Sequence, residues 1–115
     1  MSIPRKIIFH KQYFLEFYAD QTDDVRRKIN QVLRLVQTQE HIPQKFFKPI
    51  ETVSGLFEIR VEVANNIYRI FCCFDKGNLV VLFNGFQKKS QKTTSNQIAR
   101  AERLKQEYFN EKEKK

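Results

Sequence analysis

The first clear period along the chain is helical. Tyr13, Phe14, Phe17 and Tyr18 recur at i, i+1, i+4 and i+5 within residues 11–20, the stripe of a short amphipathic helix. Residues 6–10 lean apolar ahead of it and read as a first strand. Thr22 is placed to cap a second helix, with Asp23 and Asp24 beside the positive end of its dipole. Val25, Ile29, Val32, Leu33 and Val36 then share one face through about Gln39, while Arg26, Arg27, Lys28 and Arg34 decorate the other side. The two helices form a hairpin. Residues 41–55, with Pro43, Pro49 and Gly55, read as a loop.

After Gly55 the period drops to two. Phe57, Ile59, Val61 and Val63 alternate with Glu58, Arg60 and Glu62, a half-buried strand. Residues 67–74 and 79–86 supply two more, joined through Asn65-Asn66 and Asp75-Lys76-Gly77 in an antiparallel meander. Residues 87–94 are a basic polar linker. Thr94 with Gln97 has the spacing of a capping box, and Ile98, Ala101, Leu104 and Tyr108 give a last helix a modest stripe. The charged tail, residues 111–115, is expected to fray. The pattern is α+β: a helix hairpin on one face of a small, mainly antiparallel sheet, then a C-terminal helix, in one domain spanning residues 1–115.

Loop lengths assign the faces. A two-residue Asn65-Asn66 loop sets Val63 opposite Tyr68, Glu62 opposite Arg69 and Arg60 opposite Phe71. A three-residue loop at 75–77 sets Phe71 opposite Val81 and Arg69 opposite Phe83. One face then holds Phe57, Ile59, Val61, Val63, Tyr68, Ile70, Cys72, Phe74, Val80, Leu82, Asn84 and Phe86, and packs on the hairpin. The other, free of helices, holds Glu58, Arg60, Glu62, Arg69, Phe71, Cys73, Leu79, Val81 and Phe83. There Arg60 and Arg69 lie diagonal, about 7–8 Å apart. Two guanidinium forks beside an exposed Phe71 suit a phosphate and a stacked base. The competing reading is a surface ladder pairing Arg69 with Glu62 and Arg60 with Glu58.

Charge sharpens this picture. Twenty-one Lys and Arg against thirteen Asp and Glu give +8, which favours an anionic partner, nucleic acid first. Lys88, Lys89 and Lys92 fall in an acid-free stretch that ends at the same sheet end as Arg69. No run approaches a membrane span, and residues 1–6 lack a signal-like apolar stretch, so the expectation is a cytoplasmic protein with no membrane role. Adjacent Cys72 and Cys73 on a strand point to opposite faces and read as small hydrophobes. His10 and His41 would have to converge to serve a two-histidine nuclease. No HExxH, CxxC, GxxxxGK[ST] or GxGxxG occurs, so neither a metal nor another cofactor is expected.

Four blocks carry a resemblance: Gly55-Leu56-Phe57-Glu58-Ile59-Arg60-Val61; Tyr68-Arg69-Ile70-Phe71; Leu82-Phe83-Asn84-Gly85-Phe86-Gln87-Lys88-Lys89-Ser90-Gln91-Lys92-Thr93; and Ile98-Ala99-Arg100-Ala101. Over residues 6–109 the chain resembles the HigB-like branch of the RelE/ParE toxin superfamily, toxins of bacterial type II toxin–antitoxin modules. The resemblance implies a metal-independent endoribonuclease (mRNA interferase) acting on mRNA at the ribosome and neutralised by a small cognate antitoxin. In that chemistry the ribose 2′-hydroxyl attacks the adjacent phosphate, leaving a cyclic phosphate and a 5′-hydroxyl. Arg60, Arg69, Lys88 and Lys89 match the family's catalytic cations. Lys45, Lys48, Phe71 and Lys92 complete the expected RNA surface. Many relatives carry His where Asn84 stands, and Tyr108 is the only late tyrosine, so the resemblance names no general acid or base. The rival readings are a ParE-like gyrase poison and a non-catalytic nucleic-acid-binding protein.

Overall fold

A computed structural model describes residues 4–113, so the start of the N-terminal segment and the last two residues of the charged tail lie outside the described residues. Its elements are β1 (Lys6–Phe9), α1 (Tyr13–Ala19), α2 (Asp23–Thr38), β2 (Phe47–Pro49), β3 (Phe57–Val63), β4 (Asn66–Asp75), β5 (Leu79–Gln87) and α3 (Gln91–Glu113). The strands form one sheet in the order β1-β5-β4-β3-β2. β1 runs parallel to β5, and the other pairs are antiparallel. This is the α+β arrangement the periodicity predicts. Among the described residues no helix is long and apolar enough to cross a membrane.

Thr22 caps α2, its hydroxyl oxygen accepting from Val25 N–H at 3.4 Å. The other end of α2 is closed from a distance: the Arg5 guanidinium donates to the carbonyls of Val36 and Glu40, each at 3.0 Å. α1 and α2 bury Phe14, Phe17, Val25, Ile29, Val32 and Val36 against Ile59, Val61, Ile70, Cys72, Val80 and Leu82. The hairpin-facing side of the sheet is therefore a dry core.

Both β-turns differ by one position from the sequence expectation. The β3–β4 turn is Ala64-Asn65, with φ of 50° and 69°, and Val63 pairs with Asn66. The next loop is Lys76-Gly77-Asn78, closed by Asp75 opposite Leu79, with Gly77 left-handed at φ 62°. Each shift moves the register by two residues and so preserves the faces. It also brings Arg60 directly opposite Arg69 rather than diagonal to it.

A β-bulge then changes the faces of one strand. Cys72 pairs with Leu82 but Ile70 pairs with Gly85, so Phe83 and Asn84 together oppose Phe71. Beyond it Gly85 takes the hairpin side, where a Cβ would lie 2.5 Å from the Phe17 ring, so only glycine fits there. Asn84 and Phe86, expected in the hairpin core, belong with the opposite face.

That face is not free of helices. α3 covers it, burying Phe71, Cys73, Val81, Phe83, Phe86, Ala101 and Leu104 as a second core. The physical reason is area: the side chains of Leu79, Val81, Phe83 and Phe71 would otherwise expose a continuous apolar patch. α3 also starts earlier than the Thr94–Gln97 pair suggests. Ser90 is its cap, the hydroxyl oxygen accepting from Thr93 N–H at 3.1 Å, and Thr94 lies inside the first turn. β2 was hidden in the presumed loop because three residues ending in proline carry no period.

Candidate functional site

The charged rungs of β3 and β4 do form a ladder, with the partners exchanged relative to the sequence expectation. Arg69 Nε lies 3.1 Å from Glu58 Oε2, and Arg60 Nη2 lies 3.1 Å from Glu62 Oε1. The first pair is sequestered, with side-chain exposures of 11% for Arg69 and 3% for Glu58. Its two facing atoms have no aligned hydrogen bond, so the contact is ionic rather than a formed bond.

Glu58 forms the back of a groove of about 300 Å³. Three segments send cations to it. Lys48 arrives on β2, directly paired with Glu58 in the sheet. Arg69 arrives on β4. Lys88 arrives on the linker after β5, which is tied down where Lys88 N–H donates to Ile67 O at 2.7 Å. Residues 49–52 after Lys48, with Gln91, Thr94 and Ile98 of α3, line the rest of the wall. Glu51 lies on the same lining, so three cations against two carboxylates leave the groove net positive, suited to a phosphodiester.

The structure divides the residues nominated from sequence. Lys48, Arg69 and Lys88 share the groove. Arg60 and Lys45 line a neighbouring pocket with Lys28, Phe46 and Glu62. Lys89 and Lys92 are exposed beside the groove without lining it. Phe71 is corrected outright: it is fully buried, its ring 5.6 Å from that of Phe86 at 21°, and cannot receive a base. Glu58 is the residue sequence reasoning used only as a ladder partner. Its alternation put it on the right face, but its position at a groove depends on β2 and on the tight α3 linker.

The remaining titratable groups lie elsewhere. His10 is buried, its Nε2 2.7 Å from Glu107 Oε1, while His41 is exposed on the loop after α2, so the two histidines do not converge. Among the described residues one group of three side chains, His10, Glu107 and Glu111, is close enough to share a cation. The Lys11 ammonium already sits there, 2.8 Å from Glu107 and 3.6 Å from Glu111. The hydrogen bond to Glu107 raises the Lys11 pKa, and the same bond lowers that of Glu107. This cluster lies about 14 Å along α3 from Ile98, the nearest α3 residue of the groove, at about 1.5 Å per residue.

Tyr108 donates to Asp75 Oδ2 at 2.7 Å, at the far end of β4 from Arg69. Burial and that carboxylate push its hydroxyl up to about 12. Asn84 donates through Nδ2 to Gln97 Oε1 at 2.8 Å. Cys72 and Cys73 point into opposite cores, as adjacency on a strand requires; burial raises Cys72 well above the usual thiol range and Cys73 to about 11. Neither is a reactive thiolate.

No curated protein is significantly similar in sequence to this chain. Among solved structures, the fold is similar to the crystal structure of the archaeal RelE-RelB complex from Pyrococcus horikoshii OT3. The TM-score is 0.53 and the identity 14%, with 71% of this chain and 92% of that chain covered. At that identity the likeness establishes a shared RelE-like fold. The sequence itself matches the family described as "Phage derived protein Gp49-like (DUF891)" over residues 16–106, which takes in the second half of α1, all of α2, the strands β2–β5 and most of α3, and the chain therefore belongs to the Gp49-like family.

Proposed function

We propose that this Gp49-like chain is the toxin of a type II toxin–antitoxin module, on the HigB-like branch of the RelE/ParE superfamily, and that it cleaves mRNA at the ribosome without a metal. The observation that carries this reading is that Lys48, Arg69 and Lys88, from three separate segments, line one groove with Glu58, whose buried carboxylate pairs with Arg69. The fold it shares with a RelE that binds RelB supports a small antitoxin as partner.

The chemistry needs a base for the 2′-hydroxyl, a proton for the leaving oxygen and cations for the charge between them. The scissile phosphate enters the groove and draws the Arg69 fork from Glu58 to its non-bridging oxygens. Glu58, released, takes the 2′-hydroxyl proton. The O2′–P bond forms and the P–O5′ bond breaks. Lys88 gives a proton to O5′, and Lys48 with Arg69 holds the pentavalent charge. The products are a 2′,3′-cyclic phosphate and a 5′-hydroxyl.

Primer extension on a reporter mRNA, with and without ribosomes, tests this. Wild type should cut on ribosomes, and should still cut in a chelator concentration at which control ribosomes remain active. The isosteric Glu58→Gln should lower the rate about 10²–10⁴-fold, the usual contribution of a positioned base. Undiminished cleavage by a folded Glu58→Gln chain would remove the base assignment. Binding without cleavage by wild type would leave a non-catalytic RNA-binding protein.

A further inference from the structure

The pocket beside the groove has no part in the chemistry above. It holds about 230 Å³ and is lined by Lys28, Lys45, Phe46, Arg60 and Glu62. Its position follows from the sheet. β2 pairs with β3 only as far as Phe47 opposite Ile59, and the last bond at that edge runs from Arg60 N–H to Phe46 O at 2.9 Å. Beyond it the chain turns off and the C-terminal half of β3 becomes an open edge. Lys28 reaches the opening from α2, and the Lys45 ammonium lies 4.9 Å over the Phe46 ring. Three cations face one carboxylate, and that carboxylate already forms an ion pair with Arg60 Nη2 at 3.1 Å. Arg60 Nε, by contrast, is shut away from solvent with no hydrogen-bond partner. A buried guanidinium donor left unpaired is costly, and a ligand satisfies it only by drawing the Arg60 fork off Glu62 into the pocket.

We infer that this pocket is a second phosphate subsite, which holds the phosphodiester next to the scissile one and so fixes the path of the RNA across the β3–β4 rungs. The inference rests on the ribonuclease reading and extends it. Arg60 and Arg69 are register partners, with Cα atoms about 5 Å apart. Their side chains nevertheless open into different pockets, so the pair addresses two successive phosphates instead of clamping one. Arg60 is then a binding residue, and Lys28, on a helix far from the family-like blocks in sequence, is part of the RNA surface.

The experiment replaces one phosphate at a time in a short oligoribonucleotide by neutral methylphosphonate, and measures binding and cleavage by wild type and by Lys28→Gln/Lys45→Gln. Wild type should lose about tenfold in affinity at one substituted position adjoining the scissile bond. The double variant should bind the unmodified RNA more weakly, cleave bound RNA at the wild-type kcat, and lose less affinity than wild type to methylphosphonate at that position, where Arg60 alone remains. Its log-affinity against log-salt slope should be shallower by at most about 0.7, the value for one neutralised phosphate on a single strand. Equal sensitivity of both proteins at every position, with cleavage intact, overturns the subsite alone. A wild-type chain that neither binds nor cleaves RNA overturns the ribonuclease reading and the subsite with it.

Discussion

Arg69 and Glu58 depend on each other because both are largely withdrawn from water. Removing one partner of such a pair leaves a buried uncompensated charge, at a cost of about 3–5 kcal/mol, whereas removing both can be nearly neutral. Arg69→Ala should therefore abolish growth arrest on expression and also lower stability by about 3 kcal/mol. Glu58→Gln combined with Arg69→Ala should regain more than about 1 kcal/mol of that loss while staying non-toxic. Urea unfolding of the two singles and the double measures the coupling. Additive losses would show that water in the groove already compensates each charge, and toxicity in any folded Arg69→Ala chain would remove Arg69 from the site. Arg60, paired with the more exposed Glu62, should show a much weaker stability coupling in the same cycle.

α3 holds the second core in place, and its C-terminal half is anchored to the β4–β5 hairpin through one carboxylate. Asp75 accepts from Tyr108 Oη at 2.7 Å and from Lys112 Nζ at 2.5 Å. The Lys112 bond, then the Tyr108 bond, pull its pKa from 3.8 down to about 2. A folded value below the unfolded one means that the contribution is complete above about pH 4 and disappears as pH falls through about 2. The stability difference between wild type and Asp75→Asn should thus be constant near neutrality and shrink between pH 4 and pH 2. Thermal melts across that range check it; a difference that does not change with pH would mean the anchor is not ionic. Since α3 also supplies Gln91, Thr94 and Ile98 to the groove, this anchor at one end of the helix supports the site at the other.

The whole chain carries +8, and part of that charge is independent of the groove. Lys89 and Lys92 are exposed beside Lys88 at the start of α3, where they can meet phosphates without reaching the scissile one. Replacing Lys88, Lys89 and Lys92 together by Gln should flatten the log-affinity against log-salt slope for ribosomes or model RNA by roughly 2–3 units, at about 0.7–0.9 per contact. Cleavage should slow because the Lys88 proton donor is gone, but what remains should keep its sequence preference, since phosphate contacts position the RNA without reading bases. Equal slopes would show that none of the three lysines, Lys88 of the groove included, neutralises a phosphate.

Local pattern was enough for every long element: the stripes of α1 and α2, the alternation of β3 and the Thr22 cap are short-range facts that the sequence carries in full. It was enough, too, for the faces of β3 and β4, because a turn shifted by one position moves the register by two residues and leaves parity intact. Three features came only from tertiary structure. The bulge at Phe83-Asn84 sent Phe86 and Asn84 to the far side of the sheet, an extra residue that alternation cannot signal. The weak stripe of α3 gave no hint that it would close over Phe71, which happens because the opposite face is too apolar to leave in water. And the site itself, with Lys48 on a three-residue strand and Lys88 on a linker, joins segments that no period connects. The sequence determined which cations the chain has and on which face of the sheet; the packing of β2 and α3 against that face decided which of them share a groove.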